Sequence, residues 1–207
     1  KNFINYNSKI LMNAEIYNQV FNTETKKIME NDYKTGSYYR FFPIIGISSE
    51  SPFKLKKYFP DVTFSPKAHL VIAPGISNSN KFSNEDSTNN DFSIENIYRL
   101  NRFSGNDKLD NSKRLDLSFN IKNDILNGTL WTTYEFTNNS NYHYSQDNDK
   151  KLGDFLGDVS LTKEMYTASY NFRFDSHDNY MKNQNIDLSF KNKLGQYKLS
   201  YLDQKNA

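Results

Sequence analysis

Residues 66–119 read PKAHLVIAPGISNSNKFSNEDSTNNDFSIENIYRLNRFSGNDKLDNSKRLDLSF. The stretch begins with an apolar, strand-like run, Lys67 to Ala73, that stops at Ala73-Pro74. A polar loop follows, then a short apolar run, the segment NRFSGNDKLD at 101–110, and a strictly alternating stretch. There Leu115, Leu117, Phe119 and Ile121 fall on one side, and Arg114, Asp116, Ser118, Asn120 and Lys122 on the other. A period of two sends neighbouring side chains to opposite faces of a strand. The sequence therefore calls for a strand with one apolar and one polar face.

The same scheme extends downstream. Asn127-Gly128 predicts a two-residue hairpin turn, because both residues tolerate positive φ, and Thr129 to Thr137 forms its partner strand. Asn138 to Lys151 reads as a polar loop, long for a compact soluble domain. Phe155, Val159 and Leu161 then alternate with polar residues up to a tight turn at Lys163-Glu164. Tyr166 to Asp175 forms the next strand, with Tyr166, Ala168, Tyr170, Phe172 and Phe174 on its apolar side. A polar loop, Ser176 to Asn183, leads to Ile186, Leu188 and Phe190, and a turn at Lys193 to Gly195 leads to Tyr197, Leu199 and Tyr201. Upstream, Lys9 to Phe21 alternates as a strand, although Leu11 leaves a helix open. Residues 22–37 read as a loop, and Tyr39 to Ile47 is an apolar run whose Pro43 suits a sheet edge or bulge. The total is roughly eight to ten strands of lengths that cross a bilayer at the usual tilt, with short turns alternating with long polar loops as in membrane β-barrels.

Composition agrees with this pattern. The 207 residues include 16 Phe, 15 Tyr and one Trp against 8 Gly and 5 Pro, which suits strands. Tyr near strand ends also suits the aromatic girdles of a barrel. Mean hydropathy is −0.83, yet a barrel that alternates lipid-facing and lumen-facing side chains has low mean hydropathy by construction. No run approaches the roughly 18 to 20 apolar residues of a membrane helix. Net charge is only +2 with the basic residues dispersed, which does not suggest nucleic acid. With no cysteine, disulfides and thiolate metal sites are excluded within the chain.

Enzyme constellations are weak. His69, His143 and His177 are far apart, and none belongs to an H-E-x-x-H or G-x-S-x-G pattern. Glu85, Asp86, Asp91 and Glu95 lack the calcium-loop spacing with its central glycine. No catalytic residue, cofactor or metal ligand is assigned.

Several short words in fixed order carry a resemblance. They are Ala73-Pro74, then Asn84, Glu85, Asp86 and Ser87, then Asn96, then Asn101, Arg102, Phe103, Ser104, Gly105 and Asp107, with Arg114 closing the set. In this order the stretch resembles the carboxy-terminal barrel region of the lipopolysaccharide-assembly family LptD, and FRFDSHDNYMKNQNIDLSF resembles the family's later strands. Ile97 and Tyr98 stand where the family prefers Leu and Phe, Asn106 occupies an often aromatic position, and Lys108 replaces a frequent Arg.

The resemblance implies an all-β fold: a section of an antiparallel transmembrane β-barrel, incomplete as a barrel. Residues 1–207 would then be part of a single carboxy-terminal barrel domain, with the periplasmic jelly-roll not represented. It further implies a non-enzymatic translocon in the cell outer membrane that inserts lipopolysaccharide into the outer leaflet. Expected partners are lipopolysaccharide, outer-membrane lipids, an LptE-like plug lipoprotein, and an LptA-like periplasmic bridge reached through the jelly-roll. On this reading Asn101 to Gly105 anchors a loop folded against the barrel interior. Arg102 lies in a polar lumen and pairs with Asp86, Glu85 or Asp107, and Gly105 supplies a turn. The plainer alternative is that this segment only stabilises a strand end. Rival readings are a general diffusion porin, an outer-membrane enzyme, and a soluble β-sandwich or adhesin.

Overall fold

The computed structural model describes residues 10–29, 32–54, 61–74, 93–105, 107–137 and 151–205. Among the described residues ten strands form one sheet: β1 (Leu11–Met29), β2 (Asp32–Glu50), β3 (Phe53–Lys54), β4 (Thr63–Ile72), β5 (Lys113–Lys122), β6 (Leu126–Glu135), β7 (Phe155–Lys163), β8 (Tyr166–Asp175), β9 (Tyr180–Asn192) and β10 (Gly195–Gln204). The order is β1-β2-β4-β5-β6-β7-β8-β9-β10, with β3 paired to β4, and every pairing is antiparallel. Each strand lies beside its neighbour in sequence apart from the two-residue β3. The sheet is not closed among the described residues, as expected for a section of a barrel.

Burial runs opposite to that of a soluble sheet. Ile45, Ile72, Leu117, Leu130, Leu161 and Leu199 are exposed on one face, whereas Arg114 and Asp116 on the other are fully buried. Register explains the division: Val71 lies opposite Arg114, which lies opposite Glu135, and Leu70 lies opposite Leu115 and Ile47. An apolar outward face and a polar inward face are what a bilayer selects. Two hydrophobic clusters sit on the inward side. One joins Phe42, Ile44, Val71 and Ala73 of the wall to Leu100 and Leu109, and the other joins Ile97 and Leu156.

The connections separate by side. The excursions 73–112 and 136–154 leave from the same end of the sheet, whereas β5–β6, β7–β8 and β9–β10 close tightly at the other. We call these the long-loop and short-turn ends. Pro43 lies where β2 has run past the end of β4, whose last rung is Ile72 opposite Ile45. Its missing N–H thus costs the β2–β4 ladder nothing, in keeping with the edge role read from the sequence.

Three expectations are corrected. The β5–β6 hairpin turns at Asn123–Ile125, not at Asn127-Gly128, which lie in the ladder opposite Lys122 and Ile121. Asn123 captures the turn: its Oδ1 accepts from the N–H groups of Ile125 at 2.9 Å and Leu126 at 2.6 Å, the local side-chain turn that Asn favours. Residues 22–37 are largely strand, because the β1–β2 ladder continues from Asn22 opposite Tyr39 to Lys27 opposite Tyr33. Ladder bonds between backbones do not require apolar side chains, so polarity alone misread this arm. The loop at 176–183 is shorter than its polarity suggests, since β9 already begins at Tyr180 and only Ser176–Asn179 turn. Most of the Asn138 to Lys151 loop lies outside the described residues.

Candidate functional site

The excursion between β4 and β5 leaves and returns at one rung, where the Ala73 N–H donates to the Ser112 carbonyl at 3.0 Å. Its second half, Ser93–Ser112, folds onto the inward face of the wall. Asn96 starts it, with its Oδ1 accepting from the Ser93 N–H at 3.0 Å while the Ser93 carbonyl accepts from the N–H groups of Asn96 and Ile97. Asn101 then fastens the returning chain upon itself. Its Oδ1 accepts from the N–H of Phe103 at 3.3 Å and of Asp110 at 3.0 Å, and its Nδ2 donates to the Lys108 carbonyl at 3.4 Å. Gly105, with φ of 77°, takes the left-handed conformation that a side chain resists.

Charge holds this segment to the strands. Arg102 donates to Asp116 of β5, to the Ile97 carbonyl at 3.1 Å and to Thr133 Oγ1 of β6 at 3.3 Å. Arg114 spans the same carboxylate from the wall side: its Nε lies 3.2 Å from Asp116 Oδ2 and its Nη1 2.9 Å from Asp110 Oδ2. Arg114 also donates to Ser112 Oγ and to the carbonyls of Arg99 and Leu100. Thr133 donates to Asp116 Oδ1 at 2.7 Å, and His69 Nδ1 of β4 stands 3.4 Å from Oδ2. Asp116 is thus the hub. All its partners are buried, and removing one side of such a network leaves an uncompensated charge in a medium that penalises it heavily.

Close packing supports the charges. A methyl group on Gly46 would come within 2.4 Å of Leu100 Cδ2 and 2.6 Å of His69 Nε2, so β2 needs a bare backbone where the segment crosses. Arg40 Nη1 donates to the Asp107 carbonyl at 2.5 Å. Tyr98 donates its hydroxyl to Ser118 and receives the Lys67 ammonium 4.1 Å above its ring centroid. Burial pushes the Tyr98 hydroxyl up to about 12, against the opposing Ser118 hydrogen bond and aided by the negative Asp116 nearby.

A second charged cluster joins the end of the next long excursion to the wall. Asp154 Oδ2 accepts from Arg173 Nε at 2.6 Å and Lys182 Nζ at 3.0 Å, and Lys182 also lies 2.7 Å from Asp175 Oδ2. His177 Nε2 is 2.6 Å from the Leu152 carbonyl. No group of three or more His, Asp or Glu suited to a metal occurs among the described residues. The chemistry present is that of a cross-linked wall.

The family model described as LPS transport system D (LptD) matches residues 4–207, nearly the whole chain. The chain belongs to the LptD family. LptD is a transport and assembly family of the outer membrane with lipopolysaccharide as its substrate, and the exposed apolar face and paired interior suit that setting. Among curated proteins, none matches the chain.

The structure brings the family-like words partly together. Asn101, Arg102, Phe103, Ser104, Gly105, Asp107 and Arg114 fall in one patch, Phe103 buried beneath the Lys108 ammonium at 6.0 Å. Pro74 is exposed at the exit of β4. Asn84, Glu85, Asp86 and Ser87 lie outside the described residues. Among the described residues Arg102 meets Asp116, which the sequence reading did not put forward; Glu85 and Asp86, named there as partners, lie outside them. Asp116, Asp110, His69, Thr133 and Gly46 were all missed. Asp116 sits on the polar face of the strictly alternating strand, and two buried arginines converge on it, so a charge match between that strand and the preceding Arg-containing word was the available signal.

Proposed function

We propose that the chain is a section of an outer-membrane LptD translocon, residing in one barrel domain, that inserts lipopolysaccharide into the outer leaflet without enzymatic chemistry. The observation that carries this is the burial pattern. Apolar side chains face out, and a segment of family-like sequence is locked by charge to the polar inner wall. On this reading Ser93–Ser112 is a fixed lining that narrows the lumen and shapes the path of the lipid's sugars. The wider assembly comprises an LptE-like plug lipoprotein and an LptA-like bridge acting through a periplasmic jelly-roll.

The test replaces Arg102 and Asn101 by Ala in the intact protein and measures surface lipopolysaccharide per inserted barrel. A fall in that ratio is expected. An unchanged ratio with fewer inserted barrels would assign the segment to folding alone. Increased small-solute leakage with normal lipopolysaccharide delivery would favour a diffusion porin.

A further inference from the structure

The outward face carries an apolar groove of about 500 Å³ near the short-turn end of β7–β10. Cross-strand register resolves it into two rows. The row nearest the turns runs Lys163, Tyr166, Phe190, Tyr197. Its rings form a continuous wall, with Tyr166 and Phe190 centroids 4.9 Å apart and Phe190 and Tyr197 6.4 Å apart. In the next row Ala168 lies between Leu161 and Leu188. Ala168 makes the depression, because Tyr166 and Tyr170 on the same side of β8 are far larger. Between the rows, Thr167, Ser189 and Lys198 direct their side chains to the other face, so the floor is main chain.

Two features indicate an occupant. Aromatic rows at strand ends mark the level of lipid headgroups, so the groove opens from that level toward the hydrocarbon. Lys163 stands at the end of the aromatic row and is the cation that lines the groove from the outward side. Glu164 is its neighbour at the turn, so the attraction is local to Lys163 and does not form a broad basic patch. A second outward groove, about 480 Å³ beside Ala68, Leu117 and Leu130, provides a contrast. Its lysine, Lys67, belongs to the floor row and points inward onto the Tyr98 ring. That groove has apolar walls without an outward charge.

We propose that the Ala168 groove seats an acyl chain of an anionic glycerophospholipid from the leaflet at the short-turn end, with its phosphate on Lys163. The site lies on the lipid side of the wall, apart from the path proposed for lipopolysaccharide, and rests on the barrel reading only for the identity of the outward face. A phosphate with no acyl chain would have nothing to place in the groove. A lipid with no net charge would not use Lys163.

The test uses the full-length barrel protein reconstituted in nanodiscs of equal parts phosphatidylglycerol and phosphatidylethanolamine, released for native mass spectrometry. One retained phospholipid enriched in phosphatidylglycerol is expected. Ala168→Phe should lower retention about tenfold, the loss of roughly two buried methylenes. Lys163→Gln should keep retention but reduce the preference for phosphatidylglycerol about fivefold, as for one basic residue near a charged surface. Ala68→Phe in the second groove should alter neither. Heat-modifiable migration checks that each variant is folded, and Ala168→Leu replaces Ala168→Phe if the latter fails that check. Retention unchanged by filling the Ala168 groove, or retained lipopolysaccharide or a second copy of the chain in place of phospholipid, would overturn the proposal. Failure of the wild type to enter nanodiscs would count against the barrel reading instead.

Discussion

The inward faces of β4–β6 and of β9–β10 have the same kind of sequence and different fates. On β4 and β5, His69, Arg114 and Asp116 alternate with apolar residues and are sealed beneath Ser93–Ser112. On β9 and β10, Asp187 and Lys198 alternate in the same way, pair at 3.1 Å and are open among the described residues, with the Lys198 side chain 60% exposed. One carboxylate is a hub for two guanidiniums, and the other is a surface ion pair. Charge in a strand thus carries structural weight only where another part of the chain removes its water. An exposed pair gains little because solvent screens it and side-chain entropy opposes it.

The largest expected effect tests this difference at its hub. Asp116→Ala removes the carboxylate that Arg102 and Arg114 share and should destabilise the folded barrel by about 3–5 kcal/mol, as for a broken buried pair. Asp187→Ala should leave the unfolding midpoint within experimental scatter. Both are read from denaturant unfolding of the full-length protein in detergent or vesicles, and equal losses would erase the distinction between the two faces.

Packing should matter less than charge. Gly46→Val drives a side chain into Leu100 and His69 and should cost about 1–3 kcal/mol, the usual range for overpacking. The loss should be focused on the interior segment, so amide exchange at Leu100 and Leu109 should accelerate well before exchange along β9. Uniform acceleration over the sheet would show that the segment is not a separable layer.

The smallest effect is set by Tyr98. Burial pushes its folded hydroxyl up to about 12 from the ordinary value of 10.0. Between these values the unfolded chain loses the proton and the folded one keeps it. Stability linked to Tyr98 is therefore complete below pH 10 and declines as pH rises toward 12. Tyr98→Phe should flatten that part of the pH profile, and a near-ultraviolet titration should show one tyrosine ionising late. An unaltered profile would mean the Tyr98 ring is not buried against the wall.

Alternation made the strands legible. Arg114 to Lys122 and Tyr166 to Asp175 could be drawn almost residue by residue, because period two is fixed by backbone geometry. The turns were less legible: Asn127-Gly128 has the better dipeptide, but Asn123 closes the loop with its own side chain, and a local competition of that kind is invisible to pattern. The arm at 22–37 was hidden by its polarity. At the candidate site, the interior placement of Asn101 to Gly105 came from resemblance to a family, and its partner Asp116 did not come at all. Nothing within β5 distinguishes a polar face that will be covered from one that will stay wet. That depends on where the preceding stretch docks.

The first hairpin also has a mechanical side. β1 and β2 are each 19 residues long, about 60 Å at roughly 3.3 Å per residue, and they are in step with β4 only near the short-turn end, from Glu50 to Ile45. The surplus therefore stands beyond the long-loop end as a lever. Its base is the stretch of β2 from Gly46, which receives Leu100, to Arg40, which grips the Asp107 carbonyl. A load at the tip exerts its torque about that stretch, so the Arg40 contact with the interior segment takes the strain before the rungs shared with β4 do.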